Sequence, residues 1–510
     1  MSEATPDERA TAEQRATNRR ASRNLDATGI ADGYQPDPKR WKALTVCLVA
    51  GFMSLLDVSI VNVALPSIRT GLHAAQSELS WVLSGYALTF AALLITGGKL
   101  ADMYGRRRIF VIGLTIFSLS SLACGLAPNA GFLIGARAVQ GLGAALMNPA
   151  TLSIITATFP PRQRGQAIGI WAGVSAMALA IGPLVGGLIV DNIGWNWIFF
   201  VNVPVGALGI VVSYYFIKES RDTSHEQSVD FPGLLTSGGA LFALSYALIE
   251  GNQRGWASAE ILGLLAAAAV LFAGFVVLES RQRLPMLDLS LFRIGSFVGA
   301  NLVAMLVSLG MFGVFFFVSL YVQNILHYSP TKAGAIFLPM TILIILIAPI
   351  AGKASDRIGG RWLMGGGMTI LSVSLLLYQR IGLHSTFWTL FPAMVLGGIG
   401  MALTMSPMTS VAMASVPVDK AGVGSGVLNS FRQVGGSLGI ALMGAILASY
   451  LSATTRPGTV LAQQQFVNGL HAALFVSACI TFAAAIVAVA LVRTSPAVEH
   501  EHAQLAEMAA

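Results

Sequence analysis

The chain has 510 residues, of which 55% are hydrophobic and only 11% charged, with a mean hydropathy of +0.71. An ordinary soluble domain carries about 25% charged residues, so a soluble fold is excluded. The net charge of +7 is spread between apolar runs rather than gathered in one patch, which excludes a nucleic-acid-binding protein and gives the pattern of membrane topology instead.

Residues 1–42 are polar, rich in Ala, Arg, Glu and Thr, and read as a disordered cytoplasmic tail. Arg19 and Arg20 have no apolar stretch close behind them, which argues against a twin-arginine leader. Apolar runs long enough to cross a hydrocarbon core about 30 Å thick then recur almost to the end. Fourteen spans are expected, at 43–65, 79–101, 108–127, 131–158, 165–190, 196–217, 231–249, 260–279, 294–323, 332–354, 361–380, 386–410, 421–449 and 468–492. The strand-length alternation of a membrane barrel is absent, so the class is an all-α membrane protein. Residues 493–510 read as a second cytoplasmic tail. Cys47, Cys124 and Cys479 have neither metal nor disulfide spacing and read as packing residues.

An even span count puts both ends on one side. With the N-terminus placed in the cytoplasm, 24 Lys and Arg residues fall on that side and 5 on the other, and two, Arg137 and Arg432, fall inside spans. The imbalance orients both termini to the cytoplasm of a cell membrane.

The run Gly98-Lys99-Leu100-Ala101-Asp102-Met103-Tyr104-Gly105-Arg106-Arg107 returns 254 residues later as Gly352-Lys353-Ala354-Ser355-Asp356-Arg357-Ile358-Gly359-Gly360-Arg361. The first copy ends span 2 and the second ends span 10. A tandem duplication of a six-helix unit would separate them by six spans, so the two extra spans are an insert. The expected organisation is an N-terminal six-helix bundle at 43–217, a linker with two inserted spans at 218–293, and a C-terminal six-helix bundle at 294–492.

Span 1 contains Leu56-Asp57-Val58-Ser59-Ile60-Val61-Asn62-Val63-Ala64-Leu65-Pro66. A carboxylate in an apolar helix costs several kcal/mol unless it is paired, protonated or in a polar cavity, so Asp57 is a candidate for proton coupling; the alternative is a fixed structural pair. Span 4 carries Arg137-Ala138-Val139-Gln140-Gly141-Leu142-Gly143. Asp57 lies roughly 21 Å from the cytoplasmic end of its span and Arg137 roughly 9 Å from the outer end of its own, which places the two at matching depth. Span 5 contains Ala180-Ile181-Gly182-Pro183-Leu184-Val185-Gly186-Gly187, a pattern for a bent helix packed closely on a neighbour. Span 6 opens on Trp195-Asn196-Trp197-Ile198-Phe199-Phe200-Val201-Asn202-Val203-Pro204, whose tryptophans read as interfacial anchors. Span 13 holds Gly422-Val423-Gly424-Ser425-Gly426, then Asn429, Arg432 and Gln433. Arg432 is near the midplane with no acid in the middle of spans 9–14; it either contacts neighbouring amides or faces a cavity.

In this order the motifs resemble the fourteen-span drug:proton antiporter family of the major facilitator superfamily, over residues 43–492. The resemblance implies the major facilitator fold and an antiporter motif at Gly182, Pro183, Gly186 and Gly187 that goes with export. It implies proton coupling by Asp57 and Arg137, and cytoplasmic gating by Asp102, Arg106 and Arg107, with Asp356 and Arg361 in the second copy. It also implies span 13 as the helix whose N-terminus receives Asp102. For the three arginines at 106–108, orientation and contact with anionic lipid is an equal alternative. The family usually has Arg where Asn196 stands, which weakens a role for charge there.

Candidate substrate-cavity residues are Asn62, Gln140, Asn429, Arg432 and Gln433, with Phe316 from the aromatic run Phe312, Phe315, Phe316, Phe317 and Tyr321, most of which is expected against lipid. One acid against two arginines inside the spans, compared with the extra acids that dicationic-dye exporters of the resembled family often carry, suggests neutral, amphipathic or weakly anionic cargo. The glycine patterns lie inside apolar helices and no P-loop occurs, so no cofactor is expected and ATP is not the energy source. There is no catalytic cluster, and an enzyme is not expected. The expected function is proton-coupled export of small lipophilic compounds such as drugs and antibiotics, by a monomer whose partners are substrate, protons and the lipid bilayer. The alternative is a transporter dedicated to one metabolite, siderophore or lipid, or an uptake permease.

Overall fold

The computed structural model describes residues 37–74, 76–221, 230–282, 287–328, 330–450 and 459–493. Of the two expected tails, residues 1–36 and 494–510 lie outside these ranges, and residues 40–42 already belong to the first helix. Every regular element among the described residues is a helix, as the bilayer requires of any chain that must satisfy its backbone hydrogen bonds internally.

The first half comprises α1 (Arg40–Leu72), α2 (Gln76–Tyr104), α3 (Arg106–Gly125), α4 (Ala130–Thr158), α5 (Pro161–Asn192), α6 (Trp197–Phe200) and α7 (Asn202–Phe216). The inserted pair is α8 (Phe231–Arg254) and α9 (Ala259–Arg281). The second half comprises α10 (Gly295–Asn324), α11 (Pro330–Ala335), α12 (Leu338–Ile358), α13 (Gly360–Leu377), α14 (Phe387–Ala414), α15 (Ala421–Tyr450) and α16 (Val460–Leu491). Among the described residues, 13 helical segments are long and apolar enough to cross a membrane. The 32-residue α5, which carries the fifth expected span, is not one of these 13. Two expected spans are interrupted: span 6 at Val201, and span 10 between Ala335 and Leu338. Each break falls just ahead of a proline, Pro204 or Pro339, in the first turn of the following helix, where the missing N–H costs nothing.

Local chemistry sets several ends. Asn129 accepts from the Phe132 N–H at 2.9 Å and starts α4, and Asp230 accepts from the Gly233 N–H at 2.9 Å and starts α8. The two copies of the internal repeat turn in the same way. Gly105 (φ 108°) joins α2 to α3 and Gly359 (φ 83°) joins α12 to α13, both in a region a side chain disfavours.

Within the first half α2 and α3 pack on α4, and α1 packs on α5; within the second, α10 packs on α15, and α13 on α14 and α16. The halves meet along α5 with α12 and along α2 with α15. The inserted helices pack on each other, and α8 leans on α2 and α15, so the pair covers one seam. One end of the bundle gathers the basic connections. There Lys39 Nζ donates to the Tyr215 carbonyl at 3.1 Å, Lys420 pairs with Asp288 at 2.9 Å, and the Arg493 N–H donates to Ser296 Oγ at 3.0 Å. The first and last described residues therefore lie at the same face, called the basic face below. Cys47 and Cys124 are buried, whereas Cys479 is exposed on the outside of α16 and is not a packing residue.

Candidate functional site

Asp57 and Arg137, one residue on α1 and one on α4, are both 1% exposed and paired. Arg137 Nη1 donates to Asp57 Oδ2 and, at 2.7 Å, to Gln140 Oε1. Asp57 Oδ1 accepts from Gln140 Nε2 at 3.0 Å and from Asn202 Nδ2 at 3.3 Å. Arg137 Nε donates to the Val82 carbonyl at 3.3 Å, and Asn202 reaches Ser121 Oγ at 3.0 Å. The guanidinium carbon sits 4.4 Å from the centre of the Tyr86 ring and 5.9 Å from that of Phe199. A buried ion pair loses several kcal/mol per ion in hydration, and only extra hydrogen bonds and good geometry offset that loss. This cluster provides them from α1, α2, α3, α4 and α7.

The cluster corrects one expectation. Gln140 is 0% exposed and serves Asp57; it does not line the cavity. Three residues after Arg137 on α4, it shares the arginine's face. Asn202, Ser121 and Tyr86 are members that the sequence reading missed. Asn202 stands in the quoted opening of span 6, but nothing local says that the break at Val201 brings it to α1. Asn196 in the same run donates to the Gly125 carbonyl at 2.6 Å and buttresses the end of α3.

At the basic face, Asp102 accepts from the Gly422 N–H at 2.9 Å and the Val423 N–H at 3.0 Å, the unpaired donors of the first turn of α15. The helix dipole adds to this attraction. Arg106 pairs with Asp102 at 3.2 Å and donates to the Val418 carbonyl of the other half. The crossing is close enough that a Cβ on Gly98 would collide with the Gly422 carbonyl, and one on Gly422 with the Gly98 carbonyl. In the repeat copy a Cβ on Gly352 would collide with the Gly165 carbonyl of α5. Both copies of the motif therefore press on the first helical turns of the opposite half.

Arg107 does not cross. Its guanidinium lies 3.8 Å from Glu219 and donates to the Ile217 carbonyl at 3.3 Å, while Glu219 accepts from the N–H groups of Arg107 and Arg108 and caps α3. Arg361 stacks over Trp362 at 5.2 Å. The side chains of Asn62, Pro183 and Asp356 lie outside the described residues.

A cavity of about 130 Å³ lies between the halves. Asn429, Arg432 and Gln433 of α15 line it, facing Asn148 of α4 and Trp171 and Ser175 of α5. Its apolar wall includes Phe90, Phe312, Phe315, Met401 and Met405. Phe316 is 44% exposed on the outside of α10, so it belongs to the lipid-facing surface and not to the cavity. Leu55 reaches the cavity, and Asp57, two residues or about 200° further round α1, points away from it into the first half. Asn148 links the regions, donating to Ser54 Oγ of α1 at 3.2 Å. Gly182 and Gly186 face α1, where a Cβ would strike Ser59 and Ile60, and Gly187 is buried. Helix α5 continues through residue 183.

Comparison with known proteins gives this geometry a family. The sequence profile of the Major Facilitator Superfamily matches twice, at residues 47–305 and 300–508. The chain is 38% identical over 407 residues to the multidrug resistance protein Stp of Mycobacterium tuberculosis (strain CDC 1551 / Oshkosh), covering 80% of this chain and 75% of that one. It is 37% identical to the tetracenomycin C resistance and export protein of Streptomyces glaucescens, covering 82% of this chain and 78% of that one. The human organic anion transporter MFSD10 (TETRAN) has the same fold, with a TM-score of 0.64 at 14% identity over 89% of this chain and 100% of that one. The chain is a multi-pass membrane transporter and belongs to the major facilitator superfamily, among relatives named for drug and antibiotic resistance.

Proposed function

We propose that the protein is a proton-coupled antiporter that exports small lipophilic or amphipathic compounds across the cytoplasmic membrane by alternating access, as a monomer with its basic face toward the cytoplasm. The observation that carries this reading is the enclosed Asp57–Arg137–Gln140–Asn202 cluster, set inside the first half and beside the cavity. A proton on Asp57 removes the negative partner of Arg137. The carbonyl of Val82 and the rings of Tyr86 and Phe199 still hold the guanidinium, so the cluster has a second arrangement within reach. Such a two-state element, linked to the cavity wall through Ser54 and Asn148, lets proton binding favour one orientation of the halves. The contacts of Asp102 with α15, and of Arg106 with the Val418 carbonyl just ahead of it, hold the basic face shut in the other orientation. Names such as multidrug resistance protein and tetracenomycin C resistance and export protein among the relatives support drug or antibiotic cargo and the outward direction.

Everted membrane vesicles carrying the protein test this reading. Energised vesicles are expected to accumulate a drug such as puromycin, and a protonophore is expected to abolish the accumulation. Accumulation that survives the protonophore, or that occurs only in right-side-out vesicles, rejects it.

A further inference from the structure

Arg432 carries a charge that nothing around it cancels. It sits at the twelfth position of the 30-residue α15, roughly 16 Å from the basic end, within the thickness of the bilayer. Its Nη2 donates to Thr409 Oγ1 at 2.8 Å, and its Nε is buried without a hydrogen-bond partner. No ion pair to it occurs among the described residues. Its guanidinium lies over Trp171 of the other half, 5.9 Å from the ring centre. A guanidinium has five N–H donors in a fixed fork shaped for a carboxylate or similar anion. An unpaired one is retained inside a membrane where it faces a functional cavity.

The rest of the wall defines what such an anion is attached to. Among the described residues no Asp or Glu lines the cavity, and the arginine is the one charged side chain on its wall. Asn148, Asn429 and Gln433 add neutral donors and acceptors, Ser175, Ser308 and Thr341 add hydroxyls, and the apolar remainder combines aromatic and methionine side chains with a few aliphatic ones. Phe rings offer flat faces to an aromatic body, and Met side chains adapt to its outline. The volume of about 130 Å³ is below the ~300 Å³ at which drug-sized pockets begin, so the larger members of this class bind once the halves have separated further.

We infer that this cavity selects aromatic weak acids, with the carboxylate or phenolate seated on Arg432 and the ring system against Phe312, Phe315 and Trp171. The inference rests on the reading of the cavity as the transport site. It adds that the cargo itself supplies the missing counter-charge, and that lipophilic cations are disfavoured by the same guanidinium.

The experiment compares three probes of one shape on the purified protein in detergent, with no gradient: 2-naphthoate, 2-naphthamide and 2-naphthylmethylammonium. Wild type is expected to bind naphthoate at least about tenfold more tightly than the amide, the scale of one charge-assisted contact, and the ammonium most weakly. Arg432→Gln is expected to bring naphthoate down to the level of the amide measured on the same variant. Arg432→Lys is expected to keep part of the preference, since it keeps the charge and loses the fork. Absence of a naphthoate preference in wild type, whether through equal binding or none, overturns the inference, as does a preference that survives Arg432→Gln. Should Arg432→Gln fail to fold, the ranking of the three probes on wild type decides alone. The outcome is separable from that of the vesicle test. A selective cavity without protonophore-sensitive transport sinks the antiport reading only, and drug-driven antiport without anion preference sinks this inference only.

Discussion

The two arginines inside the membrane teach opposite lessons. Arg137 is surrounded by Asp57, Gln140, the Val82 carbonyl and two aromatic rings, and is 1% exposed. Arg432 has one hydroxyl, one indole and an open cavity in front of it. Residue type and approximate depth are the same, and the sequence alone gives little to separate them. The difference is whether the protein supplies the counter-charge. Where it does, the charge is satisfied inside the first half. Where it does not, the guanidinium faces the cavity between the halves.

Stability measurements break or sharpen this contrast most strongly. Arg137→Gln leaves the buried Asp57 with only neutral partners, and breaking a buried pair in this way costs about 3–5 kcal/mol. Arg432→Gln strands no partner charge and is expected to change stability by less than about 1 kcal/mol. Thermal unfolding of the two variants in detergent, side by side, checks this. Equal losses in the two would show that Arg432 has a hidden counter-ion and would erase the distinction.

A smaller effect is expected at the seam that closes the basic face. Gly422→Val forces a side chain into the backbone of Gly98, an overpacking of about 1–3 kcal/mol directed against this one closed state. In a background with Cys47, Cys124 and Cys479 replaced, an Asn429→Cys reporter on the cavity wall is expected to react faster with a membrane-impermeant thiol reagent added from the basic side. Unchanged labelling would mean that the α2–α15 contact does not control access.

The smallest effect belongs to the tie between the inserted-span linker and Lys420, in the turn that leads into α15. Burial opposes ionisation of Asp288, but hydrogen bonds from Ser290 and the Lys420 ammonium outweigh it and lower the carboxyl from 3.8 to about 2. A depressed acid stabilises the folded state above its unfolded value and loses that contribution as pH falls through the folded one. Asp288→Asn is therefore expected to lower the melting temperature slightly at neutral pH, by the equivalent of less than about 1 kcal/mol for a solvent-screened pair. The gap between wild type and variant should close between about pH 4 and pH 2. A gap that persists at pH 2 would remove Lys420 as the cause.

Most spans were legible because an apolar run of bilayer length has few alternatives, and the copies at Gly98 and Gly352 end in the same kind of turn, at Gly105 and Gly359. Orientation around each helix was not legible. Lipid is as apolar as a helix interface, so a spanning helix shows no polar face to mark its outside. For this reason Phe316 was expected in the cavity and lies on the surface, while Gln140 was expected there and lies with Asp57. Breaks such as the one at Val201 were missed for a related reason: apolarity measures span length but not helix continuity, and the proline that marks the break is equally compatible with an unbroken first turn. Partners distant in sequence, Asn202 for Asp57 above all, follow only from the packing of α7 against α1.

The central claim is that Asp57 exchanges its proton as cargo moves. The most direct measurement is the decay of a dye-reported pH gradient in everted vesicles when a transported drug is added, compared between wild type and Asp57→Asn at equal protein level. The account predicts that the drug discharges the gradient through wild type and leaves it intact with the variant. Equal discharge by both proteins would contradict it.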